Sequence, residues 1–219
     1  MKRFLRDNGL SIVTFLLFVV FLFATSLTGH REYNADQQEH GDAPVGYGEY
    51  IGTGHFLETT MENWESEFLQ MALYVVLTAF LFQRGSAESK DPDRKEDVDR
   101  DPRRSKDPNA PWPVKRGGVV LKLYENSLSI AFFALFLLSF VLHARGGAID
   151  YSEEQLAHGG APMSTAEYMT TARFWFESFQ NWQSEFLAVF AIVFLSIFLR
   201  QRSSPESKPV DAPHHETGA

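Results

Sequence analysis

The sequence predicts an all-α polytopic membrane protein, with four transmembrane helices in two parallel-repeat helical hairpins and interfacial helices in the outer loops. Three observations predict it. The hydrophobic residues, 44% of 219, are bunched into four runs with polar segments between them. One hairpin also occurs twice. Asn8 recurs as Asn126 and Lys90 as Lys208, a constant offset of 118 residues, and NWESEFL at 63–69 answers NWQSEFL at 181–187. A fixed offset held without a gap over this length marks two copies of one structural unit. Finally, the basic residues segregate to one side of the four runs.

The first run, Gly9 to Thr28, carries no charge and is long enough to cross a bilayer, which takes roughly 20 apolar residues. Lys2, Arg3 and Arg6 ahead of it have the look of a signal sequence. The run exceeds the roughly 7–15 residues of a signal core, however, and its counterpart, Ser127 to Leu142, lies internally. A retained first helix is therefore expected. The other two runs, Phe68 to Phe82 and Phe186 to Leu199, are shorter. With the amino terminus inside, the outer loops hold only Arg31, Arg145 and Arg173 of the 20 lysines and arginines, which places both termini and the central segment in the cytoplasm. The organisation read from this is a first hairpin over 1–84, a linker over 85–118, a second hairpin over 119–202 and a tail over 203–219. Two copies of like orientation are related by an axis along the membrane normal, and their four spans make a helical bundle.

The linker mixes both charges with several prolines and almost no aliphatic residues, so it reads as a disordered tether, and the tail reads the same way. His214 and His215 in the tail lack further ligands for a metal site. The outer loops are better ordered. Ser164 with Glu167 forms a capping-box pattern, and no Gly or Pro follows until past Arg202, so one helix is expected from about Thr165 into the fourth span. Gly52 and Gly54 weaken the equivalent helix of the first copy.

The repeated NWxSEFL motif supplies the candidate polar or ion site: Asn63, Ser66, Glu67, Asn181, Ser184 and Glu185. The apolar run after Glu67 is about 15 residues, roughly 22 Å of helix, against a hydrocarbon core of roughly 30 Å. The span must therefore draw in the motif, leaving Trp64 and Trp182 as interfacial anchors and both glutamates near headgroup depth. A carboxylate there is paired, functional, or simply favoured by the helix dipole. Asn63 and Glu67 share a helix face, as do Asn181 and Glu185. If the two glutamates meet, they recruit a proton or cation.

A second candidate is the pattern Gln37, His40, Gly41, Pro44, repeated as Gln155, His158, Gly159, Pro162. His40 and His158 form either a metal or pH-sensing pair, with acids such as Asp36 or Glu154, or ordinary loop histidines. No metal-ligand spacing accompanies them and the glycines point to turns, so the loop reading is preferred and no metal is expected. His30, His55 and His143 have no histidine at the repeated position; a bis-histidine haem site takes histidines from within facing helices, and only His143 lies near a span, so haem is not expected. No cofactor is expected. The chain has no cysteine, and neither a phosphate loop nor a nucleophile elbow is present, so no catalytic residue is assigned. The net charge of −8 argues against nucleic acid.

The duplicated NWxSEFL, with the upstream Gln-x-x-His-Gly-x-x-Pro and Glu-Tyr, resembles a family of small, uncharacterised bacterial integral membrane proteins. The resemblance covers Asn8 to Lys90 and Asn126 to Lys208 and implies a bacterial inner-membrane location; it brings no catalytic residues. The expected role is a non-enzymatic structural or interaction component whose partners are the lipid bilayer and a membrane protein or a second copy. The alternative is a small proton or cation channel or transporter using Glu67 and Glu185.

Overall fold

A computed structural model describes residues 2–218; Met1 and Ala219, the outer ends of the first hairpin and of the tail, lie outside the described residues. Among the described residues the chain is helical, with no strand. In order come α1 (Lys2–His40), α2 (Tyr47–Tyr50), α3 (Gly54–Phe80), two 3-10 turns (Asp97–Asp99 and Pro102–Arg104), α4 (Trp112–Arg116), α5 (Gly118–Glu125), α6 (Ser127–Ala157), α7 (Thr165–Tyr168) and α8 (Ala172–Leu195). Each of the four apolar runs falls largely within one of the long helices α1, α3, α6 and α8. Two of these, α1 and α6, are long and apolar enough to cross a membrane.

The continuous helix expected from Thr165 is broken. The capping box is present, with Ser164 N donating to Glu167 Oε2 at 2.8 Å and Glu167 N to Ser164 Oγ at 3.3 Å. The helix nevertheless stops after Tyr168 and restarts at Ala172. Two threonines explain the break: Thr170 Oγ1 donates to the Glu167 carbonyl and Thr171 Oγ1 to that of Tyr168, both at 2.7 Å. Their backbone N–H groups bond the same two carbonyls at 2.9 Å, which tightens the chain into turns. In the first copy Thr53 Oγ1 bonds the Tyr50 carbonyl in the same way, at 2.7 Å. The short helices α2 and α7 are accordingly equal in length, four residues each, despite the glycines near α2.

The chain divides into two compact units. The first comprises residues up to Met61 together with Leu142–Thr171. Its centre is a pair of buried tyrosines, Tyr50 and Tyr168, each lying where a Cβ on a glycine would have to stand, Gly29 and Gly147 respectively. Tyr33 flanks Tyr50 with ring centroids 5.6 Å apart, and Tyr151 flanks Tyr168 at 6.1 Å. Asn34 Oδ1 accepts from Val45 N at 2.8 Å, and Ser152 Oγ accepts from Met163 N at 2.9 Å, so each copy ties down its loop from the same helical position. Backbones also come close here: a Cβ on Gly54 would sit 2.8 Å from the Gly146 carbonyl oxygen.

The second unit comprises Glu62–Val141 and the chain from Ala172 onward. Rings from α6 and α8 pack together: Phe140 with Phe174 at 5.2 Å, Trp175 with Phe179 at 5.3 Å and Phe179 with Trp182 at 5.4 Å. The charged segment after α3 closes short turns on its own side chains, as where Asp101 Oδ1 accepts from Arg103 N at 3.0 Å. Its opening, QRGSAESK, and the matching QRSSPESK form one turn twice. Gln83 N donates to Ser89 Oγ at 2.8 Å, and Gln201 N to Ser207 Oγ at 2.9 Å.

Candidate functional site

The NWxSEFL residues lie in the second unit. Ser66 Oγ donates to the Asn63 carbonyl and Ser184 Oγ to that of Asn181, both at 2.8 Å, the same back-bond in each copy. Asn181 Nδ2 donates to the Glu177 carbonyl at 3.0 Å. Ser66 is buried; Asn63, Glu67 and Ser184 are exposed; Asn181, Glu185, Trp64 and Trp182 are half-buried. The helices α3 and α8 meet here, with Gln70 Nε2 donating to the Glu185 carbonyl at 2.8 Å. Glu185 lies close enough to Glu67 to feel its charge. The two predicted acids are thus neighbours, but Glu67 is on the outside of its helix.

The acid buried in this motif is Glu65, which is fully enclosed and accepts a hydrogen bond from Trp182 Nε1 at 2.9 Å. Sequence reasoning missed it because its counterpart is Gln183, so the repeat is silent at that position. The signal lay in helical spacing: Glu65, Leu69 and Ala72, at i, i+4 and i+7, are all buried on one face.

The first unit buries a further acid. Glu58 accepts from Tyr168 Oη at 2.7 Å, and a ring nitrogen of the fully buried His143 lies within 4.8 Å of its carboxylate. His143 also escaped the repeat-based reading, because Thr25 stands at the equivalent position. Nearby, burial pushes the Tyr50 phenol up to about 12, reinforced by the charges of Glu32 and Asp150. Its hydroxyl lies 3.3 Å from His55 Nδ1.

The structure also brings His40 and His158 together in this unit. Their ring centroids are 6.0 Å apart and the planes meet at 80°. Both residues are exposed, and each is held in one way: His40 Nδ1 lies 2.9 Å from the Asp36 carbonyl oxygen, and His158 Nδ1 2.8 Å from that of Glu154. A carbonyl oxygen only accepts, so both Nδ1 atoms carry a proton, and in the neutral ring the lone pair is on Nε2. Gly41 and Gly159, at φ of 86° and 78°, follow the two histidines and close each helix end. Asp42 N then bonds the Gln37 carbonyl at 2.8 Å and Gly160 N that of Gln155 at 2.7 Å, the six-to-one bond that terminates a helix through a left-handed glycine.

A third cluster sits in the second unit, at the repeated turns. Tyr74 Oη donates to Glu88 Oε2 at 2.6 Å, while Glu88 Oε1 is buried with no donor among the described residues. Glu206, 118 positions on, lies close enough to add its charge to this carboxyl. Burial pushes the Glu88 carboxyl above its usual range and Glu206 adds to the shift, against the opposing pull of the Tyr74 hydroxyl. Lys208 is buried within the tail, its Nζ donating to the carbonyls of Pro213, His214 and Glu216 at 3.2, 3.0 and 2.7 Å.

No curated protein and no solved structure matches the chain. A family model does, and it spans residues 1–219. The chain therefore belongs to DUF6766, a domain of unknown function.

Proposed function

We propose that this protein is a non-enzymatic structural or interaction component of the bacterial inner membrane. Four spans form two hairpins of like orientation, with both termini in the cytoplasm. The observation that carries the reading is the bare apolar surface of the long helices. Of the most apolar stretch of α1 only 6% is buried, and of that of α6 only 17%. A core helix of a soluble protein passes the same length and hydropathy test, but its apolar side chains are covered by protein. Here Leu10 is 80% exposed and Phe21 64%, and on α8 Phe190 is 61% exposed. Surface of this extent requires a lipid or protein cover, and helices meet the bilayer's demand that every backbone polar group be satisfied internally. Support for the repeat comes from geometry recurring at 118-residue intervals: the buried tyrosines against glycines, the loop ties from Asn34 and Ser152, and the paired turns.

The channel alternative has the proximity of Glu185 to Glu67 in its favour, but Glu67 is exposed and the acid enclosed in its motif is spoken for by the Trp182 indole. The test is proton and cation flux in proteoliposomes, comparing wild type with the Glu67→Gln, Glu185→Gln double variant. The expected result is no flux above empty vesicles for either protein. Flux in wild type that disappears in a folded double variant would overturn the reading.

A further inference from the structure

We propose that His40 and His158 together form a binding site for a divalent transition-metal ion, ligated through the Nε2 atom of each imidazole. The argument begins with the shared tautomer. Each Nδ1 proton is committed to a backbone carbonyl four residues back, at 2.9 and 2.8 Å, which leaves Nε2 as the ligand atom in both rings. A hydrogen bond of this kind on the far ring nitrogen is how proteins orient a ligating histidine and raise its basicity.

Spacing agrees. With metal–nitrogen bonds of about 2.0–2.1 Å, two imidazoles on one ion have centroids about 5–6 Å apart, and here the separation is 6.0 Å. Both side chains are exposed, so an ion reaches them from solvent. The backbones beneath them are fixed: His40 ends α1, His158 follows the last residue of α6, and each helix is closed by its left-handed glycine. Two helix carboxyl ends therefore converge on the pair, and the partial negative charge of each favours a cation.

The surrounding charge has the right sign. Asp36 Oδ1 lies 3.6 Å from His40 Nδ1, and Glu39 and Asp42 also act on that ring. These carboxylates supply negative charge that offsets that of a bound cation. Imidazole pairs with carboxylate neighbours suit Zn²⁺, Ni²⁺ and Cu²⁺ rather than Mg²⁺ or Ca²⁺, which prefer all-oxygen sites. Identical residues in identical cap geometry, 118 positions apart, give the site two-fold character.

The test uses the full chain in detergent on a background of His214→Ala with His215→Ala, which removes the two adjacent histidines of the tail as competing ligands. Zn²⁺ is titrated by calorimetry, and Cu²⁺ is followed by electron paramagnetic resonance. The expected result is one Zn²⁺ per chain, weakened at least ten-fold by His40→Ala or His158→Ala alone. The Cu²⁺ spectrum should show two coupled nitrogens in the background protein and one in either single variant. Helix content by circular dichroism, unchanged in both variants, separates ligand loss from unfolding; His40→Asn and His158→Asn, which suit a helix end, repeat the test should an alanine variant unfold. Failure to bind Zn²⁺, or binding indifferent to all of these substitutions, would overturn the proposal.

Discussion

At Glu65 a carboxylate is fully buried and answered by the Trp182 indole, whereas Glu67, two residues on, is exposed. The repeat draws attention to Glu67 because it recurs as Glu185, yet burial follows the helix face and not the repeat. The same division runs through the other sites. His40 and His158 were legible as equivalent residues, but their approach depends on how two helix ends are placed, which no local pattern encodes. Glu88 and Glu206 were hidden within segments whose composition reads as solvated. This last pair makes a testable statement about pH. Because the folded state holds the Glu88 carboxyl above its usual range, the fold binds the proton more tightly than the unfolded chain does. The stabilisation is complete below the unfolded value and is lost as pH rises through the folded one. Tyr74 and Glu206 are the groups that face this carboxyl. Thermal melts in detergent should therefore show stability falling as pH rises above the ordinary carboxylate range. Glu206→Gln, which supplies an amide donor to the orphaned oxygen, should flatten that slope. An unchanged slope in the variant would refute the part assigned to Glu206.

Among the elements, the four long helices were legible because their apolar runs are long and uncharged, and the α7 cap because Ser164 and Glu167 stand three apart. The break at 169–171 was not legible. No glycine or proline marks it; side-chain oxygens of two threonines compete for carbonyls at the point where Tyr168 turns inward. The close passage of helices in the first unit was equally silent, since it depends on glycines whose value is the volume they leave to others. A Cβ at Gly147 would meet Tyr168 Cε1 and Glu58 Oε1, and one at Gly29 would meet the Tyr50 hydroxyl. Gly147→Ala and Gly29→Ala are each expected to cost about 1–3 kcal/mol through overpacking. Gly48→Ala, where a Cβ meets nothing within 4 Å, should stay within about 0.5 kcal/mol of wild type. Chemical denaturation in detergent checks all three, and equal stability of Gly147→Ala and Gly48→Ala would contradict the packing described.

For the whole molecule, the proposed topology has α3 and α8 crossing the bilayer along with α1 and α6. The last two satisfy a length and hydropathy criterion by themselves; in the proposed topology α3 and α8 would have to draw in the NWxSEFL segment to complete a span. The two topologies differ sharply in what they expose. Four spans place Ala43 and Ala161 outside and Ser105 inside, whereas two spans put Ser105 outside and Ala161 inside. The chain lacks cysteine, so a single introduced thiol reports without background. Ala43, Ser105 and Ala161 are all exposed and suitable for labelling. The most direct measurement is therefore the reaction of Ala43→Cys, Ser105→Cys and Ala161→Cys with a membrane-impermeant maleimide in intact cells with a permeabilised outer membrane. The account predicts labelling of Ala43→Cys and Ala161→Cys, with Ser105→Cys protected until the inner membrane is opened. Labelling of Ser105→Cys from outside, with Ala161→Cys protected, would contradict it.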